Sequence, residues 1–213
     1  MFTPKAFKEE SLEAIKAFIE KQPQATVIVN TNTGLEACHI PMYWQDDGSE
    51  HGCLYGHIAK VNALSSSDNI DTPWLVIFQD TGHYISPNWY PSKAVTHKEV
   101  PTWNYRSVHI TGSVRLITKP EMLIEILSKL TTDFEANQPI PWSLDDAPEN
   151  YIQALCRAIV GIRVDITNIQ AQFKLSQNKT AKNRAGIVAG LERLQTIKAD
   201  EMARLIDQTS LER

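Results

Sequence analysis

Cysteine is scarce in this chain: Cys38, Cys53 and Cys156 form an odd, widely spaced set without a Cys-x-x-Cys pair. That excludes a disulfide framework and a zinc spacing, and it points to a reducing cytoplasm. Basic charge is in short supply as well. With 21 Lys and Arg against 25 Asp and Glu, the formal charge is −4, the wrong sign for a dedicated nucleic-acid binder. No apolar run approaches the ~20 residues that a membrane-spanning helix requires, and Met1-Phe2-Thr3-Pro4-Lys5 opens without the apolar stretch of a signal peptide. Gly-x-Gly-x-x-Gly, a phosphate loop and Gly-x-Ser-x-Gly are all missing, so dinucleotide-fold, nucleotide-triphosphatase and serine-hydrolase readings lose their main support. Ser65-Ser66-Ser67 reads as a loop. The expectation is a cytoplasmic globular protein that does not enter a membrane.

What the sequence does have is an aromatic concentration between His83 and His109. Two tryptophans, three tyrosines, three histidines and three prolines fall in that one span. Aromatic rings with polar tips stack on flat conjugated ligands and offer hydrogen bonds at their edges, and prolines stiffen the loops that carry them. The pattern points to a site for a planar, polar cofactor. His83, His97 and His109 are too widely spaced for a metal site and have no acidic partner at a zinc-like offset, so no metal is expected. His109 lies out of phase with Val108 and Ile110, facing either solvent or a ligand.

Periodicity predicts the elements. Leu12, Ile15, Phe18 and Ile19 mark a helix over residues 8–21. Strands follow at Ala25–Thr31, Leu35–Trp44, Gly52–Ile58 and Trp74–Gln79, the last turning at Asp80-Thr81-Gly82 into a hairpin with His83–Ser86. A long strand carries Val108, Ile110, Val114 and Leu116, with Gly112 marking a bulge or a close backbone approach. Thr118 and Glu121 form a capping box for a helix striped by Met122, Ile126, Leu127, Leu130 and Phe134. A further helix starts near Pro148. The final strand alternates from Val160 to Ile166, then changes phase at Ile169, predicting a bulge near Thr167–Asn168. Two helices close the chain, with Ile187, Leu191 and Leu194 on the first and Met202, Leu205 and Ile206 on the second. About seven short antiparallel strands bordered by helices make an α+β protein built on a small barrel.

Leu54–Leu64 reads as a strand running into a helix. A helix N-terminus attracts phosphate, with Lys60 adding charge and His57 and Asn62 adding donors; the plain alternative is a surface lysine beside a partly buried histidine. Asn183–Leu211 imitates a helix-turn-helix reader of DNA, with Lys179, Lys182, Arg184, Arg193, Lys198 and Arg204 for phosphates. Acidic residues dilute that charge, and a helical hairpin covering the barrel or a partner is the competing reading. Gly186-x-x-x-Gly190 permits close helix packing and has no membrane meaning here.

Four blocks in order, Leu54–Asn62, Tyr84–Tyr90, Val100–Tyr105 with Val108-His109, and Phe173–Lys179, resemble the PaiB-type FMN-binding split barrels, a family named for negative transcriptional regulation. The resemblance covers nearly the whole chain, with two departures: Ala63 stands where proline is usual, and Asn183 where aspartate is. It implies an antiparallel split β-barrel over residues 1–178, related to pyridoxamine-phosphate oxidases, and a C-terminal helical extension over 179–213. It implies a homodimer holding FMN at the subunit interface, serving as an oxidoreductase or a flavin-linked regulator. By the resemblance Lys60, Asn62 and His57 hold the phosphate. Trp103, Asn104 and Tyr105 lie along the ring or ribityl chain, Ser86 and Tyr90 line the open face, and Lys174 and Gln177 close the site. DNA binding through the terminal helices, and haem with His57, His83 or His109 as axial ligand, are the alternatives it carries. No acid–base catalyst is assigned.

Overall fold

The computed structural model describes residues 1–66 and 71–211, with the side chains of 210 and 211 left out; Ser67 lies outside the described residues. In chain order the elements are β1 (Lys8–Glu9), α1 (Leu12–Lys21), β2 (Gln24–Thr31), β3 (Gly34–Pro41), β4 (Tyr43–Gln45), β5 (Cys53–Ala59), β6 (Trp74–Gln79), β7 (His83–Ile85), α2 (Lys93–Thr96), β8 (Thr102–Ile117), α3 (Pro120–Glu135), α4 (Glu149–Cys156), β9 (Ile159–Lys174), α5 (Ala181–Glu192) and α6 (Ile197–Leu211). The strands join one nine-stranded sheet in the order β3-β2-β6-β8-β9-β5-β4, with β1 on β9 and β7 on β8. The α+β class, an antiparallel sheet with flanking helices, is borne out. Two strands exceed the short length expected, β8 and β9, at 16 residues each.

The chain divides into two compact units, each discontinuous in sequence. One comprises Lys16–Phe78 and His109–Ile169. Here β2 pairs antiparallel with β3 from Gln24↔Pro41 to Thr31↔Gly34, and with β6 at Val27↔Val76. Period-two alternation buries Ala25, Val27 and Val29 on β2 and Trp74, Val76 and Phe78 on β6. β5 pairs with β9 from Cys53↔Asp165 to Ala59↔Ile159. Helix α3 lays Ile126 and Leu130 against Cys53, Tyr55 and Ile117. The other unit comprises Met1–Ile15, Gln79–Val108 and Gln170–Arg213. Its core gathers Ile85, Tyr90 and Leu175 with Ile187 and Leu191 of α5 and Met202 of α6.

Several expectations need correction, mostly where a non-local partner overrides a local signal. The helix expected from residue 8 begins at Leu12, because Lys8 and Glu9 pair with Gln172 and Ala171 as a strand. The run from Leu35 to Trp44 breaks at Met42, whose N–H donates to the Pro23 carbonyl at 2.9 Å. Asp80–Gly82 closes no hairpin: β7 pairs with β8 and not with β6, and the Asp80 N–H just before it already donates to the Arg106 carbonyl of β8 at 3.2 Å. Asp80 Oδ1 is taken up by the N–H groups of Gly82 and Arg106, at 3.1 and 3.0 Å. Pro120 takes the first position of α3, so Lys119 is the N-cap and Thr118 caps nothing. The buried stripe of α3 is then Leu123, Ile126 and Leu130, leaving Met122 and Phe134 exposed. Leu194, beyond the end of α5, is exposed as well.

Gly112 is the close approach expected of it. A Cβ there would lie 2.4 Å from the Asp165 carbonyl oxygen and 2.6 Å from Val164 Cγ1. Along β9 the alternation of burial ends after Ile166: Thr167 and Asn168 are both exposed, and Ala171 and Gln172 are both buried. Beside this ladder runs a polar network. Arg163 donates through Nε to Asp165 at 2.7 Å, through Nη1 to the Tyr55 hydroxyl at 2.7 Å, and through Nη2 to Asp47. Arg115 reaches the second oxygen of Asp165 at 2.6 Å.

Two predictions follow from this packing. Gly112→Ala forces strand backbones apart and should cost about 1–3 kcal/mol, read as a lowered urea midpoint; an unchanged midpoint contradicts the contact. The Ser49 hydroxyl and N–H, together with Arg163, lower the Asp47 pKa from 3.8 to about 2. A carboxyl depressed on folding stabilises the fold above its unfolded pKa, and that contribution is lost as pH falls through the folded value. Between pH 4 and 2 the wild type should therefore lose stability more steeply than Asp47→Asn; parallel curves in acid titration of the melting temperature would refute the pairing.

Candidate functional site

The residues singled out from the sequence fall into two groups, one in each unit. Ser86, Tyr90, Trp103, Asn104, Tyr105, Lys174 and Gln177 belong to the unit containing α5 and α6; His57, Lys60 and Asn62 belong to the other.

In the first group the register of β7 on β8 sets Tyr84 opposite Trp103. Their rings meet edge to face, 6.3 Å between centroids at 72°. Both stay open to solvent, Tyr84 at 41% and Trp103 at 54%, so the indole offers an exposed aromatic surface with the phenol ring set across its edge. The next residue turns inward. Asn104 is fully buried, and its amide donates to Ser176 Oγ at 2.9 Å, supporting Ser176 at φ 62°, a left-handed conformation. Tyr105 accepts from Gln172 Nε2 at 2.8 Å, and the Lys174 ammonium donates to Thr102 Oγ1 at 2.6 Å. Burial lowers the Lys174 pKa. Gln177 accepts from the Leu175 N–H at 2.8 Å and donates to the Phe173 carbonyl, closing the turn after β9. Ser86 caps the short turn Pro87–Trp89 by accepting from the Asn88 N–H at 3.2 Å.

Asn104, Tyr105 and Gln177 thus spend polar atoms on the fold. What the group leaves for a ligand is the Trp103–Tyr84 surface and the remaining protons of Lys174, since an ammonium has three. The interior also holds polar atoms with no protein partner: the Tyr90 hydroxyl, Ser107 Oγ and Gln172 Oε1.

In the second group, His57 sits on β5 opposite Gly161. It is half-buried, its Nδ1 has no hydrogen-bond partner, and burial lowers its pKa, so the imidazole is neutral at pH 7 and carries an unsatisfied ring nitrogen. The helix expected after Lys60 is replaced by a three-residue 3-10 turn, Ala63–Ser65. Asn62 Oδ1 accepts the Leu64 N–H at 2.9 Å, while the Ser65 hydroxyl points back to the carbonyls of Lys60 and Asn62 at 2.7 and 2.8 Å. Those contacts close a tight loop. The Asn62 carbonyl oxygen is taken up by this cap, which leaves the amide NH2 as its donor group, and no helix dipole is available there for an anion.

Charge compensates for the missing dipole. Lys60 lines a cavity of 520 Å³ together with Arg157, against Leu123, Cys156 and Gln153, with Glu121 as the one carboxylate among its described lining residues. The Lys60 N–H donates to the Ala158 carbonyl at 2.9 Å, extending the β5–β9 ladder and bringing the chain just before β9 alongside Lys60. Sequence reasoning missed Arg157, which reads there only as a basic residue near a helix end. Two cations against apolar walls suit an anion, because charges beside low-dielectric surface are screened less than in open water.

The terminal helices use part of their basic charge internally. Lys179 pairs with Glu99 at 2.7 Å and Arg184 Nη1 donates to the Lys179 carbonyl at 3.0 Å.

Comparison with known proteins places this geometry in a family. The sequence profile described as "Putative FMN-binding domain" matches residues 1–168. The chain is 29% identical over 207 residues to "Protease synthase and sporulation protein PAI 2" of Bacillus subtilis, covering 97% of each. It is 30% identical over 241 residues to an uncharacterized protein of Aspergillus fumigatus, covering 92% of each. Among solved structures, the FAD and heme binding protein from Mycobacterium smegmatis superposes with a TM-score of 0.59 at 16% identity, over 86% of this chain and 80% of that one, a likeness of fold. The chain belongs to the putative FMN-binding domain family.

Proposed function

We propose that the protein is a cytoplasmic, homodimeric FMN-binding protein, a flavin-dependent oxidoreductase or flavin-linked regulator. The observation that carries this reading is the pairing of Lys60 with Arg157 in one cavity. A flavin mononucleotide has two demanding ends: a dianionic phosphate that needs cations and donors, and a flat tricyclic ring that needs an apolar surface. The residues fit both. Lys60 and Arg157 of one protomer hold the phosphate, with His57 nearby in sequence as a neutral donor. The partner's Trp103 and Tyr84 cover the ring, and Ser86 and Lys174 supply its polar edge, while Tyr90, buried in the core of its unit, supports that surface from beneath. Asn104, Tyr105 and Gln177 act by shaping that surface.

Once bound, the flavin supplies electron and hydride transfer, which no side chain provides. The protein's own task is to neutralise the phosphate and cover the ring. Direct reading of DNA by the terminal helices has less support, since Lys179 and Arg184 are engaged within the fold.

The purified protein should take up FMN with the absorption of an oxidised flavin and sediment as a dimer. Lys60→Ala and Arg157→Ala should each weaken FMN on the order of tenfold or more, about 1.4 kcal/mol, while leaving riboflavin, which lacks the phosphate, unaffected. A haem Soret band, or equal loss of both ligands, would contradict the assignment.

A further inference from the structure

A second pair of cations, Lys93 and Arg193, lies with His97 in the unit that holds α5 and α6, and the flavin reading makes no use of them. An open cavity of 610 Å³ is lined by Lys93, His97 and Arg193 together with Trp89, Gly186 and Ala189. Among its described lining residues there is no Asp or Glu. That is notable in a chain of net charge −4, because gathering like charges opposes folding unless something of opposite sign joins them.

The cavity is held in shape from two sides. Helix α5 is pressed against the loop before α2. A Cβ at Gly190 would lie 2.3 Å from Trp89 Cγ, and one at Gly186 would lie 2.3 Å from the Trp89 carbonyl oxygen. This is the physical meaning of the Gly186-x-x-x-Gly190 spacing: it seats Trp89 directly on the helix. The second constraint is a polar clamp. The Ser92 N–H donates to Asn183 Oδ1 at 3.2 Å, Asn183 Nδ2 donates to Ser92 Oγ at 2.9 Å, and Ser92 Oγ donates to Glu99 at 2.8 Å. Lys179 pairs with the other oxygen of Glu99 and, with Ser92, lowers its pKa. Glu99 is thereby spent on Lys179 and Ser92. Ser92 immediately precedes α2, so the clamp fixes the short helix that carries Lys93. His97 ends that helix at φ 56°, a left-handed conformation that non-glycine residues seldom adopt. Lys93 is oriented by a hydrogen bond to Asn88, and Arg193 follows the last turn of α5.

We propose that this cavity is a binding site for a phosphate group, distinct from the Lys60–Arg157 cavity, carried by a small organic phosphate or arriving as the free anion. An ammonium, a guanidinium and an imidazole together offer the multiple donors that a tetrahedral dianion accepts, and a fixed backbone reduces the ordering cost of binding. The volume exceeds that of inorganic phosphate and leaves room for an organic portion beside Trp89.

Isothermal titration of the full chain with AMP, inorganic phosphate and adenosine, at matched ionic strength, tests the site. AMP should bind, and adenosine should not. Lys93→Ala and Arg193→Ala should each weaken AMP on the order of tenfold. Ala189→Leu, on an exposed position of α5, should block the cavity while leaving the melting temperature unchanged. AMP tighter than phosphate identifies an organic ligand and equal affinities identify the free anion; both uphold a phosphate site. Adenosine binding as well as AMP, no binding of either anion, or binding lost in Lys60→Ala yet kept in Lys93→Ala and Arg193→Ala would overturn it.

Discussion

Lys60 and Arg157 line one cavity with Leu123 and Cys156, and the functional account depends on that concentration of positive charge. Both side chains are exposed and so free to meet a ligand, and Glu121 is the one carboxylate among the described lining residues. The backbone sets this arrangement. Ala59 faces Ile159 in the β5–β9 register, and the bond from Lys60 N–H to the Ala158 carbonyl carries the pairing one residue further. Arg157 is the next residue along. The same hydrogen bonds that hold the sheet together therefore bring both residues to one cavity, where a phosphate can accept from each.

The other unit follows a different economy. On β8 the strand period turns Trp103 outward and Asn104 inward, so one side chain is left for a ligand and its neighbour is spent on the Ser176 turn. Tyr105 and Gln172, Thr102 and Lys174, and Gln177 with the backbone of Leu175 repeat the pattern of polar atoms used in support. Residues of this kind position a surface without touching what binds to it. An exposed indole in edge contact with an exposed phenol then offers aromatic surface of the kind that a ring ligand or a dimer contact requires.

Much of the fold was legible in the sequence, and the exceptions share a cause. Strand alternation in β2, β6 and the first part of β9, its break after Ile166 and the close approach at Gly112 are written in local sequence patterns that depend on the chain alone. Failures came where a distant segment competed with a local signal. Glu9 had helical neighbours but found Ala171, β7 chose β8 over the adjacent β6, and Pro120 displaced Thr118 from its cap. The candidate site divided in the same way. The aromatic richness of residues 83–109 announced a surface for a flat ligand, and Lys60 was visible inside its block. Arg157 was not, since only the β5–β9 register brings it beside Lys60. Nor did sequence indicate that the Asn62 carbonyl oxygen would cap a three-residue turn, because Asn-x-x-Ser reads equally well as the start of a helix.

The most direct test of the central claim is a crystal structure of the dimer grown with saturating FMN. The account predicts the phosphate within hydrogen-bonding distance of Lys60 Nζ and the Arg157 guanidinium of one protomer, with the ring against the partner's Trp103. A phosphate seated on Lys93 and Arg193 instead, with the Lys60 cavity bare, would contradict it.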